Sequence, residues 1–128
     1  MAVLSPETVA RFALAAGDTN PIHHDPAFAR STRYGRLIAS GTHTTALILG
    51  LTASHFSQHG AMVGLEFSVK FYKPLYADET IQLEWLVTKV TASQKLRGDI
   101  VELRGRIRNQ QQQTALGATG RVLVTDRL

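Results

Sequence analysis

The sequence predicts an α+β fold in which one antiparallel sheet wraps around a single long buried helix. Two observations carry that prediction. From Gly41 to Phe56 the chain reads GTHTTALILGLTASHF, apolar or small nearly all round, with His43 and His55 its only ionisable groups. A helix of that kind must be enclosed. Soon after it come four segments in which apolar and polar residues alternate, the period of half-buried strands that each need cover on one face. Helix and sheet supply one another's missing surface. A chain of 128 residues can bury roughly two thirds of its unfolded surface in a single core, so one domain spanning residues 1–128 is expected.

The elements follow in order. LSPETVARFALAAG carries Ser5 as an N-cap, Pro6 at the first helical position, Glu7 in the first turn and Gly17 as terminator, predicting a helix over about residues 6–16. Val9, Phe12, Ala13 and Ala16 share its apolar face. DPAFARS repeats the capping logic, with Asp25 as N-cap and Pro26 following, for one or two turns. After the buried helix, VGLEFSVKF places Val63, Leu65, Phe67, Val69 and Phe71 on one face and Gly64, Glu66, Ser68 and Lys70 on the other. Residues 80–90, 100–108 and 115–125 repeat the pattern, joined by KPLYADE, TASQKLRGD and the turn NQQQQ. Four strands in succession predict an antiparallel meander. This order of elements, a sheet wrapped on one helix, is the hot-dog architecture.

Composition narrows the function. There is no cysteine, which removes disulfides, thiolate chemistry and zinc ribbons and makes the cytoplasm the default location. No apolar run reaches the ~20 residues of a membrane span, so no membrane partner is expected. The net charge is +4, and the only dense basic run is RGRIR. On a strand Arg104, Arg106 and Arg108 share one solvated face, and no stacking aromatics interleave with them, so no nucleic-acid partner is expected either.

The stretch GDTNPIHHDP, residues 17–26, is harder to explain by structure alone. Asn20-Pro21 makes a turn, Asp25 caps a helix, and Asp18 suits an Asx turn, but His23 and His24 have no structural task of that kind. A carboxylate and an imidazole converging on one point can hold a water between them. One group then takes a proton from it while the other gives a proton to the substrate. That is the minimum equipment for adding water across an activated double bond. A metal held by Asp18, His23, His24 and Asp25 competes for the same residues, although neighbouring histidines rarely converge on one ion.

The stretch from Phe12 to Leu51 resembles the hydratase signature of the MaoC-like dehydratase family, which includes the R-specific enoyl-CoA hydratases. The shared pattern is an aromatic in the first helix, then G-D-x-N-P-I-H-x-D-P, then G-R-L-I-A-x-G leading into the buried helix. The resemblance implies a hot-dog domain over the whole chain and reversible hydration of a trans-2-enoyl thioester, carried by coenzyme A or an acyl-carrier protein, to the (R)-3-hydroxyacyl thioester. It places the catalytic pair on Asp18 and His23 and the motif asparagine on Asn20. The N–H that receives the thioester oxygen falls on Gly41. Physical chemistry points to Gly41 too, since glycine lets a substrate approach the backbone and free N–H groups at a helix N-terminus favour developing negative charge. Ser40, where relatives often carry His or Gln, joins the candidate substrate-binding residues. With His43 one turn on, it implies a different acyl pocket. Neither cofactor nor metal is implied, and a homodimer is. Relatives often begin with a strand, whereas this chain starts almost at the helix. A hot-dog thioesterase and a non-catalytic thioester-binding subunit are the alternative functions.

Overall fold

The computed structural model describes residues 1–128. Strand β1 (Ala2–Val3) leads into helix α1 (Pro6–Ala15), a 3-10 turn (Pro21–His23), and the short helix α2 (Pro26–Arg30). The long helix α3 (Gly41–Phe56) follows, then strands β2 (Ala61–Phe71), β3 (Thr80–Ser93), β4 (Gly98–Arg108) and β5 (Thr114–Thr125). The capping expected of α1 is present: the Ser5 hydroxyl accepts from the Thr8 N–H, and Gly17 takes the left-handed conformation that ends the helix. Ala16 is the C-cap and is exposed, so the buried face of α1 is Val9 and Ala13, with Phe12 half-buried.

The sheet is antiparallel throughout, in the order β1-β3-β4-β5-β2. Strands β3 to β5 form the expected meander, but β2 pairs with β5 rather than β3. The segment after β2 therefore has to cross the open end of the sheet. It is held there by the stretch before α3, through the Ala39 N–H to the Leu75 carbonyl (2.8 Å) and the Ala77 N–H to the Leu37 carbonyl (3.0 Å). The two-residue β1 on the other edge lacks the length to show as an alternating segment.

The core lies between α3 and the concave face of the sheet: Ile48 of α3 with Val9, Ile81, Ile107 and Leu116, all almost fully buried. Trp85 ties the layers together by donating its indole N–H to the Ile48 carbonyl (2.8 Å). Its ring lies over Gly105, where a Cβ would come within 2.6 Å of it, so this position cannot hold a larger residue without moving the indole.

Two expectations need correction. The alternation of β2 is broken by a bulge between Gly64 and Glu66. One extra residue inverts the facing of everything before it. Phe67, Val69 and Phe71 face the helix, but Val63 and Leu65 are turned out, 37% and 41% exposed. Helix α3 is not enclosed all round either: His43, Thr44, Ile48 and Thr52 are buried, while Ala46, Gly50, Leu51 and Ala53 remain exposed. No helix is long and apolar enough to cross a membrane. Arg104 and Arg106 do share an outer, exposed face, and Glu84 pairs with Arg106 and, at 3.5 Å, with Arg108.

Candidate active site

Proline and asparagine shape the loop that follows α1. The Asp18 N–H closes the helix end on the Ala13 carbonyl (2.7 Å), and Asp18 Oδ1 accepts from the Asn20 N–H (3.0 Å) in an Asx turn. Asn20 caps the 3-10 turn by accepting from the Ile22 N–H. Ile22 buries its side chain and its carbonyl accepts from the Ile38 N–H. The His23 side chain is thereby carried inward against the strand-like stretch before α3.

His23 is only 6% exposed, and its Nδ1 lies 2.8 Å from the Ile38 carbonyl. A carbonyl can only accept, so Nδ1 carries hydrogen and Nε2 is the nitrogen left for chemistry. Nε2 sits 3.3 Å from Asp18 Oδ2. The turn uses one carboxylate oxygen of Asp18 and leaves the other facing the imidazole. The sequence left His24 without a task, but its Nε2 donates to the Asp18 carbonyl (2.9 Å) and closes the loop on itself. Asp25 is taken up by capping α2 through the Ala27 and Phe28 N–H groups. No three His, Asp or Glu side chains are gathered where they could hold a metal ion.

His23 and Asn20 line a cleft of about 460 Å³ together with Gly41 at the start of α3. The N–H groups of Gly41 and Thr42 have no acceptor within the chain and lie at the positive end of the helix dipole. Space at Gly41 is tight, since a Cβ there would meet Phe71 Cζ at 3.0 Å. Ser40 is fully buried, and its hydroxyl accepts from the His43 N–H as the N-cap of α3. Its task is thus to aim the helix, not to line the cleft. His43 also turns away, stacking on Phe12 of α1 with ring centroids 4.5 Å apart. Lys73, a candidate in the sequence for meeting the carrier's phosphates, lies at the cleft rim, whereas sequence reasoning missed Tyr34 and Tyr72 there and expected Phe71 only as core. No local pattern marks them, because their place depends on β2 crossing to the far edge.

Burial holds the His43 imidazole below its ordinary pKa of 6.5, and its Nδ1 has no partner. The unfolded chain therefore binds the extra proton, and stability falls as the pH drops through the unfolded value. Urea midpoints measured from about pH 8 down to pH 5 should fall less for His43→Leu than for the unaltered protein. Equal slopes would remove His43 from the acid sensitivity.

A curved antiparallel sheet around one long helix, with a largely apolar cleft at that helix's N-terminus, is a hot-dog domain. The MaoC like domain matches residues 2–105. The chain is 36% identical over 118 residues to an (R)-specific enoyl-CoA hydratase of Aeromonas caviae, covering 91% of this chain and 81% of the relative. It is 31% identical over 80 residues to a 3-hydroxyacyl-thioester dehydratase of Mycobacterium tuberculosis, covering 62% of this chain and 27% of that one. The structure superposes on an (R)-hydratase of A. caviae with a TM-score of 0.82 at 28% identity, covering 96% of this chain and 89% of the other. An R-hydratase from Pseudomonas aeruginosa superposes with a TM-score of 0.87 at 22% identity over 98% and 77%, a likeness of fold. The chain belongs to the MaoC-like dehydratase family, and it is an enzyme of the hydratase/dehydratase class of lyases.

Proposed function

We propose that this chain, acting as one domain, reversibly adds water to a trans-2-enoyl thioester to give the (R)-3-hydroxyacyl thioester. The observation that carries the reading is the 3.3 Å approach of His23 Nε2 to Asp18 Oδ2 beside the unpartnered Gly41 N–H. The thioester oxygen is received by that N–H, which stabilises the enolate that forms as water attacks C3. The water sits in front of the pair, in hydrogen-bond reach of both atoms. One group removes a proton as the oxygen bonds to C3, and the other delivers a proton to C2, so that one water is added overall. Asn20 holds the loop that presents both groups, and Ser40 aims the helix that presents the N–H. Neither a metal nor a cofactor enters the steps, and a cytoplasmic location fits a chain without cysteine.

Incubation with crotonyl-CoA tests this directly. Loss of the conjugated enoyl absorbance without thiol release supports it; thiol release points to a thioesterase, and no change points to a binding subunit.

The reading also includes a homodimer. The exposed Ala46, Gly50, Leu51 and Ala53 of α3 and the unpaired outer edge of β2 leave apolar surface and strand edge that a second copy covers. Light scattering at micromolar concentration should give twice the chain mass. A fully active monomer would contradict it.

A further inference from the structure

We propose that a groove on the outer face of the sheet binds the phosphates of a coenzyme A thioester, the nucleotide tail of the substrate whose acyl end occupies the cleft. This rests on the thioester reading above. The groove has a volume of about 780 Å³ and is lined by Ser68, Lys70, Tyr72, Arg104, Arg106 and Thr119 among others. It and the cleft share one residue, Tyr72, whose ring lies over Gly117, where a Cβ would come within 2.9 Å of it. Lys73 lines the cleft on the same rim. A flexible arm leaving the thioester past Phe71 thus meets Tyr72 and then the groove.

Strand register fixes the charges on that face. Lys70 of β2 faces Gly117 of β5, which faces Arg106 of β4, which faces Glu84 of β3. The next row runs Ser68, Thr119, Arg104 and Leu86. Glu84 is taken by Arg106 and Arg108, and Glu66 by Arg121 at 4.0 Å. Lys70 and Arg104 have no carboxylate within 4.0 Å. They stand two strands and one row apart, roughly 12 Å between backbones by sheet spacing. Ser68 and Thr119 offer hydroxyls between them, and the Tyr72 ring covers Gly117 at one side. Two free cations separated over a hydroxyl-lined floor suit a ligand with two separated phosphate groups, as the diphosphate and 3′-phosphate of coenzyme A are. A concave pocket of this volume is the size of a small-molecule site.

The test compares Lys70→Gln/Arg104→Gln with the unaltered protein on crotonyl-CoA and on crotonyl-pantetheine, which lacks the nucleotide. Titration of free coenzyme A by calorimetry at low and high salt accompanies it. The double variant is expected to lose the preference in kcat/KM for the CoA thioester by about tenfold or more, and to bind coenzyme A correspondingly more weakly, with a shallower salt dependence. An unchanged preference with unchanged coenzyme A binding would overturn the groove. So would a carrier-protein thioester that is used far better than the CoA thioester and depends on the same two residues. If neither thioester is hydrated yet coenzyme A binding still depends on Lys70 and Arg104, the groove stands and the hydratase reading fails.

Discussion

Asp18→Asn is expected to lower turnover of an enoyl thioester by about a hundredfold or more while leaving stability within ~1 kcal/mol of the unaltered protein. The replacement keeps an oxygen to accept from the Asn20 N–H, so the turn survives and only the carboxylate facing His23 is lost. His23 needs a more careful substitution, because it is buried and its Nδ1 satisfies the Ile38 carbonyl. Alanine would leave that carbonyl unpaired, at a cost of about 1–3 kcal/mol that confuses folding with chemistry. Asparagine offers an amide N–H where Nδ1 sits and nothing where Nε2 sits. His23→Asn should therefore lose turnover by the same order as Asp18→Asn with a milder effect on stability. The double variant should be little worse than either single one, since both groups act on one water. Near-normal turnover in either single variant would exclude the pair.

The second large effect is expected at Gly41. Position 41 is the first residue of α3, where proline is accommodated, and Ser40 already has the extended backbone (φ −70°, ψ 150°) that precedes a proline. Gly41→Pro therefore deletes the N–H without breaking the helix. Gly41→Ala keeps the N–H but shares the crowding against Phe71, whose ring is exposed enough to shift. Alanine thus serves as the steric control. Relative to the unaltered protein, proline should lower kcat by about 10²–10³, the usual loss of an oxyanion donor, and alanine by much less. Thermal denaturation of both should show a folded chain. Equal losses for proline and alanine would mean that the Gly41 N–H receives nothing.

The helices were legible because their signals are local. Ser5-Pro6, Asp25-Pro26 and Gly17 set caps that form regardless of what packs above them. The strands were legible as segments for the same reason, but not their partners. Pairing of β2 with β5 is a long-range choice, and nothing between Phe71 and Thr80 announces that the chain will cross the sheet. The bulge at Leu65 could not be read either, because an unbroken alternation looks the same whether or not one residue is looped out. The apolar character of α3 read as full enclosure within one chain, although the same composition serves a helix with an open side.

The candidate site followed a similar division. Asp18, Asn20, His23 and Gly41 lie within one contiguous motif, and the structure gathers them around one cleft or its loop. Ser40 and His43 sat in the same motif but face the helix cap and Phe12. Adjacency in sequence could not say which way a buried side chain points. His24 had no visible task because its partner is a backbone carbonyl, which every residue has.

The stereochemistry of hydration tests the dyad most directly. Crotonyl-CoA hydrated in heavy water can be examined by NMR for the position of deuterium at C2 and by chiral analysis at C3. If Asp18 and His23 hold one water on one side of the substrate plane, hydroxyl and deuteron arrive on the same face, and with the oxygen held at Gly41 the product is syn and 3R. An anti product would contradict the shared-water dyad even if the enzyme hydrates the substrate, and a syn product of 3S configuration would keep the dyad but refute the orientation set by Gly41.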